Sequence, residues 1–130
     1  MGRHRILIIE DEPEIVALVT LTAEAVGVES FAVGSVDQIA DALASFKPTV
    51  LLVDLSIFGG VGHDVLRPLV DSGATVPMII MSGSGVSEHV EEDSRRMGLN
   101  PIGRLDKPFR RAELRAAIEK LCQAAGSPPA

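Results

Sequence analysis

Five polar side chains suited to chemistry follow apolar segments of this chain, at or just beyond the point where each segment ends. They are Glu10, Asp11, Asp54, Ser82 and Lys107. Carboxylate oxygens are the ligands that Mg²⁺ and Mn²⁺ prefer, and a bound cation relieves the repulsion that raises the pKa values of clustered carboxylates. A carboxylate can also be a nucleophile, and phosphoryl transfer requires mainly positioning and charge neutralisation. Brought together, these side chains would form a metal-dependent phosphoryl-transfer site with Asp54 as nucleophile.

The elements that must position these side chains are five short strands that alternate with helices. Apolar runs predict strands over 5–10, 28–33, 50–53, 76–81 and 102–105. Apolar residues at helical spacing predict helices over about 13–27, 35–46, 65–73, 87–97 and 114–122. Ser35 and Gln38 are spaced as a capping box for the second helix, and the fourth has so few apolar residues that we expect it to be loosely held. This alternation predicts an α/β fold.

The distribution of apolar residues predicts the order of the strands. The first, third and fourth strands are almost wholly apolar, whereas the second and fifth are mixed, so the former belong in the centre and the latter at the edges. The predicted fold is a doubly wound, five-stranded parallel sheet of order 2-1-3-4-5, the flavodoxin-like (βα)5 arrangement. Its switch point lies between strands one and three, where Glu10, Asp11 and Asp54 emerge together.

Composition excludes several functional classes. The net charge of -6, without a basic block, argues against direct binding of nucleic acid. The longest apolar runs are too short for a membrane span, and the apolar N-terminal run is too short for a secretory signal. A single cysteine, Cys122, permits no internal disulfide, and we expect a cytoplasmic location. Three histidines (His4, His63 and His89) show no metal-ligand spacing and are expected at the surface.

From Arg5 to Cys122 the chain resembles the receiver domains of the response regulators of two-component systems. The residues that carry the resemblance are Glu10-Asp11, Asp54, Ser82-Gly83 and Lys107-Pro108-Phe109, each at the end of a successive apolar strand. Any one of these motifs is weak, but all of them in this order are specific. We therefore expect residues 1–125 to form a receiver domain, and 126–130 to be a tail or the start of a linker to an output domain.

The resemblance implies a role for each site residue. Asp54 would accept a phosphoryl group from a sensor histidine kinase or phosphotransfer protein, and Lys107 and Ser82 would bond that group. Mg²⁺ or Mn²⁺ would be held by Glu10, Asp11, Asp54 and the backbone carbonyl of Ser56. The side chains of Ser56 and Ser84 would tune dephosphorylation, and the Lys107-Pro108 peptide would be cis. Catalysis would be limited to self-phosphorylation and self-dephosphorylation.

Three residues depart from the family pattern. Arg104 stands three residues before Lys107, at the switch position where the family usually has an aromatic side chain that moves inward with the switch hydroxyl. Phe58 and Val61 stand where the loop after Asp54 usually has proline and aspartate. Arg104 therefore puts the usual coupling between hydroxyl and aromatic ring in doubt.

Two other functions remain open from the sequence. The first is a receiver-like protein-interaction module that does not depend on phosphorylation, which the three departures favour. The second is a phosphohydrolase with an aspartate nucleophile, similar to haloacid dehalogenases; those enzymes usually carry a D-x-D motif after strand one, where this chain has Glu10-Asp11.

The resemblance also implies partners. An output domain or downstream protein would read a surface formed by the fourth helix, fifth strand and fifth helix, and family members often form homodimers through it. The segments 81–84 and 103–109 faintly resemble receivers attached to cyclic-di-GMP phosphodiesterase domains.

Overall fold

A computed structural model describes residues 2–55, 62–83 and 88–129, with only the backbone described for 62–64. The strands are β1 (Arg5–Ile9), β2 (Glu29–Val33), β3 (Val50–Asp54), β4 (Pro77–Ser82) and β5 (Asn100–Asp106). The α-helices are α1 (Pro13–Ala25), α2 (Ile39–Phe46), α3 (Gly62–Asp71), α4 (Val90–Arg96) and α5 (Arg111–Ala125). None of the described helices is long and apolar enough to cross a membrane.

The five strands form one parallel sheet in the order β2-β1-β3-β4-β5, which confirms the predicted topology. Every residue of β3 and β4 is buried, whereas β2 has one buried residue, Val33, and β5 has two, Pro101 and Leu105. This is the burial that a parallel sheet with helices on both faces requires of its central and edge strands.

Alternate residues of the central strands enter two separate cores, because successive side chains of a strand point to opposite faces. Leu7 and Ile9 pack in the core that contains residues of α2 and α3. Ile6 and Ile8 pack on the opposite face with residues of α1 and α5. The two cores pack the sheet between two layers of helices, which fixes the strand ends at its carboxyl edge relative to one another.

Two local predictions differ from the structure. Ser35 precedes a short 3₁₀ turn, Val36–Gln38, and its side chain caps nothing; Gln38 Oε1 instead accepts a hydrogen bond from the Gly34 N–H at 3.2 Å. The predicted capping box of the second helix is therefore wrong, because the three-residue spacing spans the 3₁₀ turn and not the first α-helical turn. Strand β5 is longer than predicted, and within the described residues α4 covers only 90–96 of the predicted 87–97.

His4 is buried, which contradicts its expected place at the surface. Its Nε2–H donates to the Gly126 carbonyl oxygen at 2.7 Å, and its Nδ1 lies 3.0 Å from Thr49 Oγ1. The imidazole thus joins the start of β1 to the residue that follows α5.

Candidate phosphoryl-transfer site

The acidic side chains lie at the carboxyl ends of the two central strands β1 and β3. Asp54 is the last residue of β3, and Glu10 follows β1, where its N–H donates to the Val33 carbonyl oxygen at 3.1 Å. Pro13 begins α1 directly afterwards, so the chain turns away from the sheet. Glu10 Oε1 accepts the N–H groups of Asp11 and Glu12 at 3.1 and 3.2 Å, which fixes the carboxylate against this turn.

Glu10, Asp11 and Asp54 form the cluster that the sequence predicts. One carboxylate oxygen from each lies within 4.8 Å of the other two. Glu10 and Asp54 are each only 1% exposed, whereas Asp11 is exposed. Hard oxygen donors with one solvent-facing side fit the chemistry of Mg²⁺, which binds one or two carboxylates and retains several waters.

Lys107 supplies the cation of the cluster. Its Nζ lies 2.9 Å from Asp54 Oδ2, 2.8 Å from Glu10 Oε2 and 3.6 Å from Glu12 Oε1. The Lys107-Pro108 peptide is cis, as the resemblance implies, and the Lys107 N–H donates to the Ser82 carbonyl oxygen at 2.7 Å. The ammonium is thus held over the central carboxylates by the junction of β4 and β5.

Burial and charge shift two pKa values in this cluster. Burial raises the pKa of Glu10 to about 7, with a further contribution from the Asp54 charge, although the Lys107 hydrogen bond and the Glu12 N–H oppose the rise. Burial lowers the pKa of Lys107, but its hydrogen bonds and charge interactions with Glu10 and Asp54 outweigh that effect and leave it above the ordinary value. The cluster therefore favours the positive charge of Lys107 and disfavours a negative charge on Glu10.

Ser82 lies one position beyond the residue that pairs with Asp54, because Met81 of β4 is opposite Asp54 in the register. The side chain is 3% exposed, and its Oγ donates to Asp106 Oδ1 at 2.7 Å. The sequence prediction did not include Asp106. The signal was present, since two adjacent parallel strands that end at the same level bring their last residues side by side, and the register pairs Ser82 with Asp106.

Arg104 connects β5 to α4 through an acidic side chain. Arg104 Nε lies 3.8 Å from Glu91 Oε1, and Glu91 Oε2 lies 3.9 Å from Arg95 Nη2. Arg95 Nη2 also donates to the Pro101 carbonyl oxygen at 3.0 Å. Arg104 therefore makes a charged contact with α4, at the position where the resemblance implies an aromatic switch residue. Sequence analysis did not include Glu91 or Arg95.

Four residues named in the sequence analysis lie outside the described residues: Ser56, Phe58, Val61 and Ser84. Their predicted roles stay predictions.

The family model of the response regulator receiver domain matches residues 6–119. The chain belongs to this family, and it is the receiver domain of a response regulator of a two-component system.

Two curated relatives illustrate the range of the family. DNA-binding response regulator MtrA of Mycolicibacterium smegmatis is 32% identical over 78 residues, which are 59% of this chain and 34% of the relative. The chain thus matches about a third of the length of MtrA. Sporulation initiation phosphotransferase F of Bacillus subtilis is 26% identical over 120 residues, which are 92% of this chain and 94% of the relative.

Solved structures show the same fold. The receiver domain of NtrX from Brucella abortus has a TM-score of 0.73 and 23% identity, and the match covers 91% of this chain and 98% of that one. A CheY-like response regulator receiver domain protein from Methanospirillum hungatei has a TM-score of 0.73 and 19% identity, over 91% and 90% of the two chains.

Proposed function

We propose that this receiver domain accepts a phosphoryl group on Asp54 from a phosphohistidine of a sensor histidine kinase or phosphotransfer protein. One observation carries the proposal: Asp54 is buried at the carboxyl end of the central strand, 2.9 Å from the Lys107 ammonium and within the cluster of three carboxylates. A buried carboxylate in this position can attack a phosphorus atom, and the neighbouring lysine can neutralise the charge of the phosphorylated product.

The transfer is an in-line displacement at phosphorus. An Asp54 oxygen forms the new P–O bond as the P–N bond of the donor breaks, and the electron pair of that bond returns to the imidazole nitrogen. Lys107 remains beside the phosphoryl oxygens and matches their charge. Attack of water on the phosphorus of the acyl phosphate later releases inorganic phosphate and restores the Asp54 carboxylate.

Glu10, Asp11 and Asp54 are the side chains that would hold Mg²⁺ or Mn²⁺, with the backbone carbonyl of Ser56 as a further ligand. When bound, the ion neutralises the phosphoryl oxygens and the acidic cluster. The fit rests on the buried Glu10, whose pKa of about 7 reflects a negative charge that burial disfavours and a cation would favour.

The proposal includes the remaining roles. Ser82 would donate to the phosphoryl group, and Ser56 and Ser84 would tune its hydrolysis. No separate substrate is turned over, and the protein acts in the cytoplasm together with its phosphoryl donor. Residues 1–125 would be the receiver domain, with 126–130 as a tail or linker.

Phosphorylation would change the surface of α4, β5 and α5. It adds about two negative charges beside Lys107 and shifts an equilibrium between two arrangements of the receiver. Arg104 lies on this surface and contacts Glu91 of α4 at 3.8 Å, so we propose that this charged contact takes the place of the usual aromatic residue. An output domain, a downstream protein or a second copy of the chain would read the change.

A second function is favoured by Arg104. A receiver that lacks the usual aromatic switch could serve as a docking module without phosphorylation. The intact contact between Asp54 and Lys107 favours the phosphorylated switch, because a docking module has no need of it.

Intact-mass spectrometry after incubation with acetyl phosphate and Mg²⁺ tests the proposal. We expect a gain of one phosphoryl group in the wild type and in the control Asp71→Asn, which alters an exposed carboxylate at the end of α3. We expect no gain in Asp54→Asn or with excess EDTA. A wild type that binds Mg²⁺ but takes no phosphoryl group, from acetyl phosphate or from a panel of phosphorylated histidine kinases, would favour the docking module. Equal labelling of Asp54→Asn would overturn the assignment of Asp54.

A further inference from the structure

The Ser82 hydroxyl is already engaged in this structure. Its Oγ donates to Asp106 Oδ1 at 2.7 Å, within the last paired residues of β4 and β5. The Lys107 N–H fixes the same junction by donating to the Ser82 carbonyl oxygen at 2.7 Å. Ser82 is buried, whereas Asp106 is exposed, so the carboxylate holds the hydroxyl from the solvent side.

One hydroxyl proton cannot serve two acceptors. A serine carries a single O–H donor, and both an ionised carboxylate and a phosphoryl oxygen only accept. When Ser82 donates to Asp106 it therefore cannot donate to a phosphoryl group on Asp54. The two hydrogen bonds define two mutually exclusive states of the Ser82 side chain.

We propose that Asp106 is a positioning residue that restrains the Ser82 hydroxyl in the unphosphorylated state. This inference rests on the proposed function, and it adds a regulatory contact to the same site. The hydrogen bond to a carboxylate is charge-assisted, so without a phosphoryl group on Asp54 the Asp106 acceptor favours the restrained state over one in which the hydroxyl is released.

The consequence is a lower apparent affinity for a phosphoryl group. When a ligand binds only to a minor state of a protein, its apparent affinity is the intrinsic affinity multiplied by the fraction of molecules in that state. Removal of the Asp106 acceptor raises this population. Because the Asp106 carboxylate is exposed and its charge is screened, we assign its hydrogen bond about 1 kcal/mol. At 1.36 kcal/mol for each tenfold change, this corresponds to about a fivefold gain in affinity.

The probe is beryllofluoride, a mimic of the phosphoryl group, titrated at saturating Mg²⁺ and followed by ¹⁹F NMR. We expect Asp106→Ala to bind it about fivefold more tightly than the wild type. Asp106→Asn retains an oxygen acceptor without the charge, and we expect a smaller gain. Urea denaturation shows whether each variant is folded, and Asp106→Asn tests the inference if Asp106→Ala is not.

A second background separates restraint from simple charge. Asp106 is acidic and adjoins Lys107 in sequence, so its removal could favour an anion without any effect on Ser82. In Ser82→Ala no hydroxyl is left to release, and we expect Asp106→Ala to change the affinity little there. An equal gain in both backgrounds, or no gain in either, would overturn the restraint.

The outcomes also separate this inference from the proposed function. If the wild type binds the probe, Asp54→Asn does not, and Asp106→Ala equals the wild type, the restraint is wrong and the phosphoryl site stands. If the wild type does not bind the probe, both fall. Asp71→Asn is the matched control for loss of an exposed carboxylate, and we expect it to bind as the wild type does.

Discussion

Glu10 should make the stability of the metal-free protein decrease as the pH rises. Its carboxylate is buried beside Asp54, and Lys107 and two backbone N–H groups compensate it only in part, so its pKa rises from 4.5 to about 7. An acid with a higher pKa in the folded state binds more protons folded than unfolded. The free energy of unfolding then falls as the pH increases from about 4.5 to about 7.

The size of this effect follows from the shift. A pKa raised from 4.5 to about 7 corresponds to at most about 3 kcal/mol at 1.36 kcal/mol per pH unit. The effective dielectric of a protein interior lowers this value, so we expect a loss of about 1–2 kcal/mol. Mg²⁺ should restore it, because a bound cation favours the ionised carboxylate.

Urea denaturation followed by circular dichroism, between pH 5 and pH 8 in EDTA, measures the effect. Glu10→Gln is neutral throughout, so we expect its free energy of unfolding to gain about 1–2 kcal/mol relative to the wild type over this range. Glu12→Gln removes a neighbouring carboxylate that is 62% exposed and serves as the control. Parallel pH curves for the wild type and Glu10→Gln would refute this account of Glu10.

Three further predictions concern stability and coupling. His4→Ala should lower the free energy of unfolding by about 1–2 kcal/mol in urea denaturation, because it removes two partly buried hydrogen bonds. The control His89→Ala, at a side chain that is 72% exposed, should change this free energy little. Equal effects of the two substitutions would contradict the role of His4. Leu52→Ala, at a fully buried residue of the central strand, should cost about 2–5 kcal/mol in the same assay, and a cost below about 1 kcal/mol would contradict close packing there. A double-mutant cycle of Arg104→Gln and Glu91→Gln should give a coupling free energy of about 0.5 kcal/mol in the same assay, and this coupling should disappear at about 1 M salt. A coupling that does not depend on salt would show that the contact is not electrostatic.

The order of the strands was predictable because a strand that is buried on both faces consists of apolar residues. A central strand of a parallel sheet is covered on both faces, so its residues must all be apolar, as in 50–53. The position of Asp54 followed from the same fact, since the first polar residue after such a strand must emerge at the edge of the sheet. The cluster with Glu10 and Asp11 was then a consequence of strand order.

The features that sequence analysis missed depend on side-chain reach between elements. His4 donates a hydrogen bond to the carbonyl oxygen of Gly126, which is 122 residues away along the chain, and no local sequence pattern indicates this contact. The contact between Arg104 and Glu91 requires the placement of α4 against β5. Asp106 directly follows the predicted fifth strand, and only the register of β4 and β5 shows that it lies beside Ser82.

The site has two parts that differ in how far the sequence predicts them. The acidic cluster lies at the ends of β1 and β3, whose apolar residues are buried, and Lys107 directly follows β5, so both could be located from the sequence. The contacts that we expect to govern switching join the edge strand β5 to its neighbours: Asp106 to Ser82 of β4, and Arg104 to Glu91 of α4. They depend on the register of β4 and β5 and on the placement of α4.

The most direct measurement is the chemical location of the phosphoryl group. The protein is incubated with acetyl phosphate and Mg²⁺ and reduced with sodium borohydride, which converts an aspartyl phosphate to homoserine, and the product is then digested and fragmented in a mass spectrometer. We predict homoserine at position 54 and at no other aspartate, and none when EDTA replaces Mg²⁺. Homoserine at another position, or none under conditions in which a known receiver domain is modified, would contradict the account.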